Sequence, residues 1–370
     1  MEVRPANARE LEAWDDLVVT PGGGHVYQSL AWARHRAASG WTAHHLVADD
    51  GSAVLTLERR WPIVGGGSAY LPRGPIPAGD AAAMTRRLES FTGWLADNGM
   101  DVVATDAEVP SATGFGDLIR RAGFHQIEEI QPSRHRLALP LGQGRDEAGV
   151  FAAVARTTRQ RIRAAEGAGT AVIRHDRAVA AGEGPGDGFA RPAEDAASAL
   201  SRFYDLLLET GERRHFAFGP RAGFVGWWEA ALAARLLILL EARSATGAPL
   251  AGLILYRHGG RLTTVHSGDH AATRREHPGS LHLLRWRAIQ LAIREGCAEL
   301  DLGGVDLPGA RRPPVSGEPL YGLYEHKRSF GAEWVELTGA HERVIRPRRY
   351  AVGRALARVE RLAGGRAGNR

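Results

Sequence analysis

Hydrophobic positions along this chain recur with a period near 3.6 in some stretches and near 2 in others, and the order of the two patterns is repeated in its second half. In residues 8–19, Leu11, Trp14, Leu17 and Val18 share one helical face, and Pro21 with the glycines behind it ends the element. VYQSLAWARHRAASGW predicts a second helix from Gln28 or Ser29 to Gly40, followed by strands over 45–47 and 53–60 joined by a turn at 49–51. SAYLPRGPIPAG, residues 68–79, reads as a loop because of its prolines and glycines. A helix over 81–98, a buried strand over 100–105, a short helix in FGDLIRRAGF and a strand near 125–130 complete the first half.

The second half runs through the same plan without obvious identity. Residues 151–169 predict an amphipathic helix with Phe151, Val154, Ala155, Thr158, Ile162 and Ala165 on its apolar face. Residues 180–195 have no periodicity and predict a flexible surface loop. A helix over 196–210, a helix in WWEAALAAR, three strands between 236 and 269, a long helix over 277–296 and a strand over 298–302 follow. In the last of these, Glu299 and Asp301 face away from Ala298, Leu300 and Leu302.

At 370 residues the chain is long enough for two domains, each with its own core. One cysteine, Cys297, excludes an internal disulfide and points to the cytoplasm. No apolar run is long enough to span a membrane. The net charge of +5 is concentrated after residue 342, where arginines alternate with Val352, Leu356, Val359 and Leu362. That pattern predicts an amphipathic helix whose apolar face docks on the first domain, while its basic face suits an anionic partner such as RNA or an anionic lipid surface.

Candidate chemistry is sparse. The sequence has no nucleophile-elbow serine, no CxxC, no HExxH and no phosphate-binding P-loop, and its histidines lack metal-ligand spacing. One feature stands out by count: of 47 basic residues a single one, Lys327, is lysine. Lysine is a compact point charge whose pKa shifts on burial, and arginine cannot replace it where that matters.

Several motifs resemble the FemABX peptidyltransferases: VYQSLAWARHR with SGW, YLPRGP, the ERRHF stretch, LLRWRAIQLAIREGCAELDLGGV, and LYEHKRSFGAEWVELTG followed by VIRPRRY. The similarity runs from about residue 14 to 350. It implies an α/β fold of two tandem GNAT-like domains, each a mixed sheet flanked by helices. The first would span 1–144, with 340–370 packing back on it, and the second 145–339. It implies an aminoacyltransferase that moves an amino acid from aminoacyl-tRNA to an amine on the stem peptide of a peptidoglycan precursor, in the cytoplasm or peripherally at the inner face of the plasma membrane. Lys327 would be the essential lysine of the family's F-K-x-x-F-G motif, flanked by His326 and Phe330. Arg36, beside Trp32 and Gln28, and Arg213 or Arg214 would hold the acceptor, and Tyr70 with Arg73 would line the substrate channel. Asp301 and Glu325 are candidates for taking the proton, and Lys327 is expected to act as a fixed positive charge.

The expected cofactor complement is none: aminoacyl-tRNA is the co-substrate. Coenzyme A is disfavoured, because the turn before the long helix carries Pro278, which lacks an N–H where a pyrophosphate cradle needs donors. His326 and Thr264 depart from residues usual in the family and leave the acceptor open. The competing expectations are an N-acyltransferase, dependent on acyl-coenzyme A or aminoacyl-tRNA, acting on a small natural product, and a non-catalytic tRNA- or precursor-binding protein, against which the lone lysine speaks.

Overall fold

The computed structural model describes residues 1–367 except 78, 143, 177–187, 191, 193, 215–217, 308 and 310; the side chains of Arg214 and of residues 360–367 are also outside the description. Most of the loop expected over 180–195 and part of the ERRHF stretch therefore lie outside the described residues. The chain divides into two compact units, residues 1–134 with 336–370, and residues 135–335.

The first unit begins with β1 (Val3–Pro5), α1 (Ala8–Glu12), α2 (Trp14–Val18), α3 (Leu30–Ala37), β2 (Thr42–Ala48), β3 (Ala53–Arg60) and β4 (Gly67–Leu71). It continues with α4 (Ala81–Asp97), β5 (Val102–Thr105), α5 (Phe115–Arg121) and β6 (His125–Gln126). Ser29 starts α3 by accepting the Trp32 N–H on its hydroxyl, as an N-cap does. The residues 68–71 expected in a loop form a central strand instead. Ala69 and Leu71 alternate into the core, and the prolines begin only at 72.

The second unit holds β7 (Arg136–Pro140), α6 (Glu147–Ala153), α7 (Arg156–Gly167), β8 (Ala171–His175), α8 (Ala196–Arg214), α9 (Arg221–Ala233), β9 (Leu237–Arg243), β10 (Pro249–His258) and β11 (Arg261–Asp269). It ends with α10 (Ser280–Arg294), β12 (Glu299–Asp301), α11 (Tyr321–Arg328) and β13 (Glu333–Val335). The chain then returns to the first unit as β14 (His341–Val344) and α12 (Pro347–Ala367). The unit boundary falls before 136 rather than at 144, because β7 pairs with β12 and β13 in the second sheet.

Both sheets have seven strands and one plan. The first is ordered β1-β2-β3-β4-β5-β14-β6 and the second β8-β9-β10-β11-β12-β7-β13. Each has one parallel pair, β4 with β5 and β11 with β12, joined through a helix, α4 or α10, as a parallel connection requires. Each also receives its sixth strand from a segment distant in sequence.

Of the apolar stripe expected to dock α12, Leu356 is partly buried and Leu362 lies outside the described side chains, but the two valines stay out. Val352 and Val359 are 50% and 63% exposed. The helix instead docks through Gly353, where a Cβ would lie 2.3 Å from the Trp61 ring, and through Arg349, which binds Asp101. Among the described residues no helix is long and apolar enough to cross a membrane.

Candidate active site

The parallel pairing of β11 with β12 covers only Arg261–Thr263 against Glu299–Asp301. Beyond it β11 continues to Asp269 while the other chain leaves the sheet, and a bulge near Val265 shifts the register against β10. A gap opens between the carboxyl ends of two neighbouring strands, the usual ligand-binding place in α/β sheets. Gly303, at φ +74°, makes the turn out of β12, and its N–H donates to Asp301 Oδ1 at 2.7 Å. A Cβ there would stand 2.9 Å from the Thr264 carbonyl and 3.4 Å from the amine of Lys327, so the close approach requires glycine.

Lys327 enters this gap from α11, of which it is the buried residue. Nζ donates to the carbonyls of Gly303 and Gly304 at 3.1 and 3.0 Å. The residue is 6% exposed. Burial, and next the charge of Arg285 on α10, push its pKa down from 10.5 to about 7, against the opposing pull of Asp301 and Asp306. The charge expected to be fixed therefore titrates near neutrality.

The neighbours of Lys327 are sorted by helix geometry. Glu325, two positions away on α11, points to the other side, is exposed and pairs with Arg328 at 3.3 Å; it is not part of this site. Asp301 is buried below Lys327. His326 accepts from Arg285 Nε on its Nε2 at 2.8 Å and is pushed down to about 2, by burial first, then by Arg285 and His282. Phe330 is fully buried in the core of the unit, so it anchors the end of α11 and is not a ligand contact. Arg213, on α8, donates to Asp269 at the end of β11, Nη2 to Oδ1 at 2.8 Å. Arg214 belongs to α8, and its side chain lies outside the described residues.

The remaining candidates form a second cluster, within the first unit. Arg73, with φ +54°, is largely buried against two carboxylates, Asp106 at 3.6 Å and Glu108 at 3.8 Å, and its N–H donates to Asp106 Oδ1 at 2.7 Å. Tyr70 donates its hydroxyl proton to Asp106 Oδ2 at 2.9 Å. Arg36 lies over the rings of Trp32 and Trp41 at 5.4 and 5.3 Å and has no ion-pair partner among the described residues. Its guanidinium, unlike that of Arg73, is left for a ligand there. Gln28 is not: its amide donates to the carbonyls of Pro72 and Leu55 and accepts the Leu55 N–H, so it ties a loop to β3.

Arg285 was missed in the sequence. It stands in LLRWRAIQ among residues that α10 buries, and an arginine amid that apolar run is the signal that could have found it.

A fold with two parallel-pair sheets of this kind is the acyltransferase fold in tandem. A family profile described as an acetyltransferase (GNAT) domain matches residues 152–328. FemX has the fold of the whole chain, with a TM-score of 0.75, 17% identity, and coverage of 95% of this chain and 99% of FemX. L-PGS from Bacillus licheniformis aligns at a TM-score of 0.51 and 12% identity over 95% of this chain and 98% of its own. A conserved protein of unknown function from Bacteroides thetaiotaomicron aligns at 0.54 and 10%, over 92% and 98%. No curated protein sequence matches significantly. The FemABX resemblance holds at the level of the fold: two tandem GNAT domains.

Proposed function

We propose that the protein is an aminoacyltransferase, moving the aminoacyl group of an aminoacyl-tRNA onto an amine of a peptidoglycan-precursor stem peptide, with Lys327 as the reacting residue. The observation that carries this reading is one buried amine, held on two backbone carbonyls where two parallel strands part, with a pKa of about 7. Such an amine takes and returns a proton at neutral pH, where general acid–base catalysis is most effective.

The donor ester is already activated, so no covalent intermediate is required. The acceptor nitrogen bonds to the ester carbonyl carbon, the carbon–oxygen ester bond breaks, and the proton lost by the nitrogen ends on the departing ribose oxygen. Lys327 relays that proton, and as an ammonium it donates a hydrogen bond to the oxyanion of the tetrahedral intermediate, worth about 3 kcal/mol. Asp301 supports the ammonium form electrostatically. Arg36 binds an anionic part of a substrate.

The alternative is an N-acyltransferase using acyl-coenzyme A on a small natural product, favoured by the acetyltransferase domain match. Against it stands the start of α10, where Pro278 has no N–H to offer a pyrophosphate. Incubation with charged tRNA or acyl-coenzyme A, with and without ribonuclease, decides between them. Ribonuclease-sensitive transfer is expected; ribonuclease-insensitive transfer from acyl-coenzyme A would overturn the assignment.

A further inference from the structure

Arg285 is 3% exposed, on a helix whose neighbouring side chains Leu284 and Trp286 are core. Its Nε is spent on the neutral His326, and Nη2 donates to Ser267 Oγ at 3.3 Å. Nη1 is buried and has no acceptor among the described residues. Among the described residues no carboxylate pairs with the guanidinium, and burial pushes its pKa down to about 10.

The deficit extends along a row of basic side chains. Arg161 Nη1 meets His282 Nε2 at 3.3 Å, the His282 and His326 rings stand edge to face with centroids 4.5 Å apart, and His326 accepts from Arg285. Both histidines are held neutral, mainly by burial; at His282 the Asp269 carboxylate opposes this, and at His326 no carboxylate does among the described residues. Among the described residues the carboxylates opposing the loss of charge at Lys327 are Asp301 and Asp306, and Arg136 Nη1 already lies 3.8 Å from Asp301. A buried charge without a counter-ion is retained against a large solvation cost, which an anion delivered by a ligand would remove.

We propose that Arg285 is the receptor for an anionic group of a substrate, a carboxylate or a phosphate oxygen, which it takes on Nη1 beside Lys327. The assignment does not depend on the donor. Bound there, the anion replaces the missing counter-ion and raises the proton affinity of Lys327, so that binding readies the amine.

Because Lys327 is the only lysine, the full-length protein grown on [ε-13C]lysine gives one lysine NMR signal, whose pH titration reports this residue alone. Inorganic phosphate and acetate are added separately at constant ionic strength, with chloride as the reference. Saturable binding is expected to move the titration midpoint upward by about one pH unit. A response to phosphate alone assigns a phosphate group and a response to acetate alone a carboxylate. In Arg285→Met the midpoint starts higher and neither anion moves it. No response of the wild type to either anion, or an equal response in Arg285→Met, overturns the proposal. A midpoint near 10.5 would instead sink the reading of Lys327, a separate outcome.

Discussion

Arg73 in the first unit and Arg285 in the second are both guanidiniums withdrawn from solvent, and they are treated oppositely. Arg73 has Asp106 and Glu108 within 4 Å, and its pKa is raised. Arg285 has a neutral imidazole and a hydroxyl, and its pKa is lowered. The first arrangement satisfies itself: ion pair, tyrosine hydroxyl and backbone N–H converge on Asp106, and a charge so matched has little left to offer a ligand. The second leaves positive potential unspent next to an amine that it drives toward neutrality. Matched charge builds a unit, and unmatched charge equips one for chemistry.

The largest effect expected from this contrast lies at Lys327. Lys327→Met should lower transfer by about three orders of magnitude with the fold intact; retention of more than about a tenth of the rate would remove Lys327 from the mechanism. Lys327→Arg keeps the charge but cannot titrate, so it should not rescue turnover. The same amine leaves a mark on stability. Its pKa is lower folded, about 7, than unfolded, 10.5, so the unfolded chain binds more protons between those values and unfolding there takes one up. Stability conferred by the neutral amine is thus complete above 10.5 and lost as pH falls toward 7. Urea midpoints of wild type and Lys327→Met should converge as pH rises through that window, with the variant the more stable at its lower end.

Next in size is the matched site. Asp106→Asn strips Arg73 of its nearer carboxylate and should cost about 3 kcal/mol, the low end for a broken buried pair because Glu108 remains 3.8 Å away. The measurement is the urea midpoint. A loss below about 1 kcal/mol would mean that Arg73 is already solvated and the contrast with Arg285 is false.

Much of the frame was legible in the sequence. Apolar runs, together with the caps, glycines and prolines that bound them, located α3, α4, α10 and the hairpin strands β9–β11. The 68–71 strand was hidden by the prolines that follow it, and β7 by its pairing with strands some 160 and 200 residues further on, which no local pattern records. Lys327 was legible by rarity and motif. That Glu325 could not join it was also readable, since positions two apart on a helix diverge. Gln28 was not: nothing in VYQSL says that its amide will bridge Pro72 and Leu55. Arg285 escaped because α10 is buried on nearly every side, so the arginine is visible only as an interruption of an apolar run and breaks no amphipathic stripe.

The smallest effect, and the sharpest test of the contrast, is a difference of sign. Arg285→Met removes a buried charge that has no carboxylate to abandon. It leaves one imidazole nitrogen and one hydroxyl without a donor, a cost of about 1 kcal/mol each at most, and relieves a larger solvation penalty, so the variant should be more stable by roughly 1 kcal/mol. Arg73→Met makes the same change of side chain but abandons Asp106, 2% exposed, and should destabilise by about 3 kcal/mol or more. Paired urea melts at neutral pH read both. Two losses of similar size would show that Arg285 is held for its bond to His326 and stabilises the fold like any other buried donor. Opposite signs would show that the second unit carries a destabilising charge, which is expected where a site is kept ready for an anion.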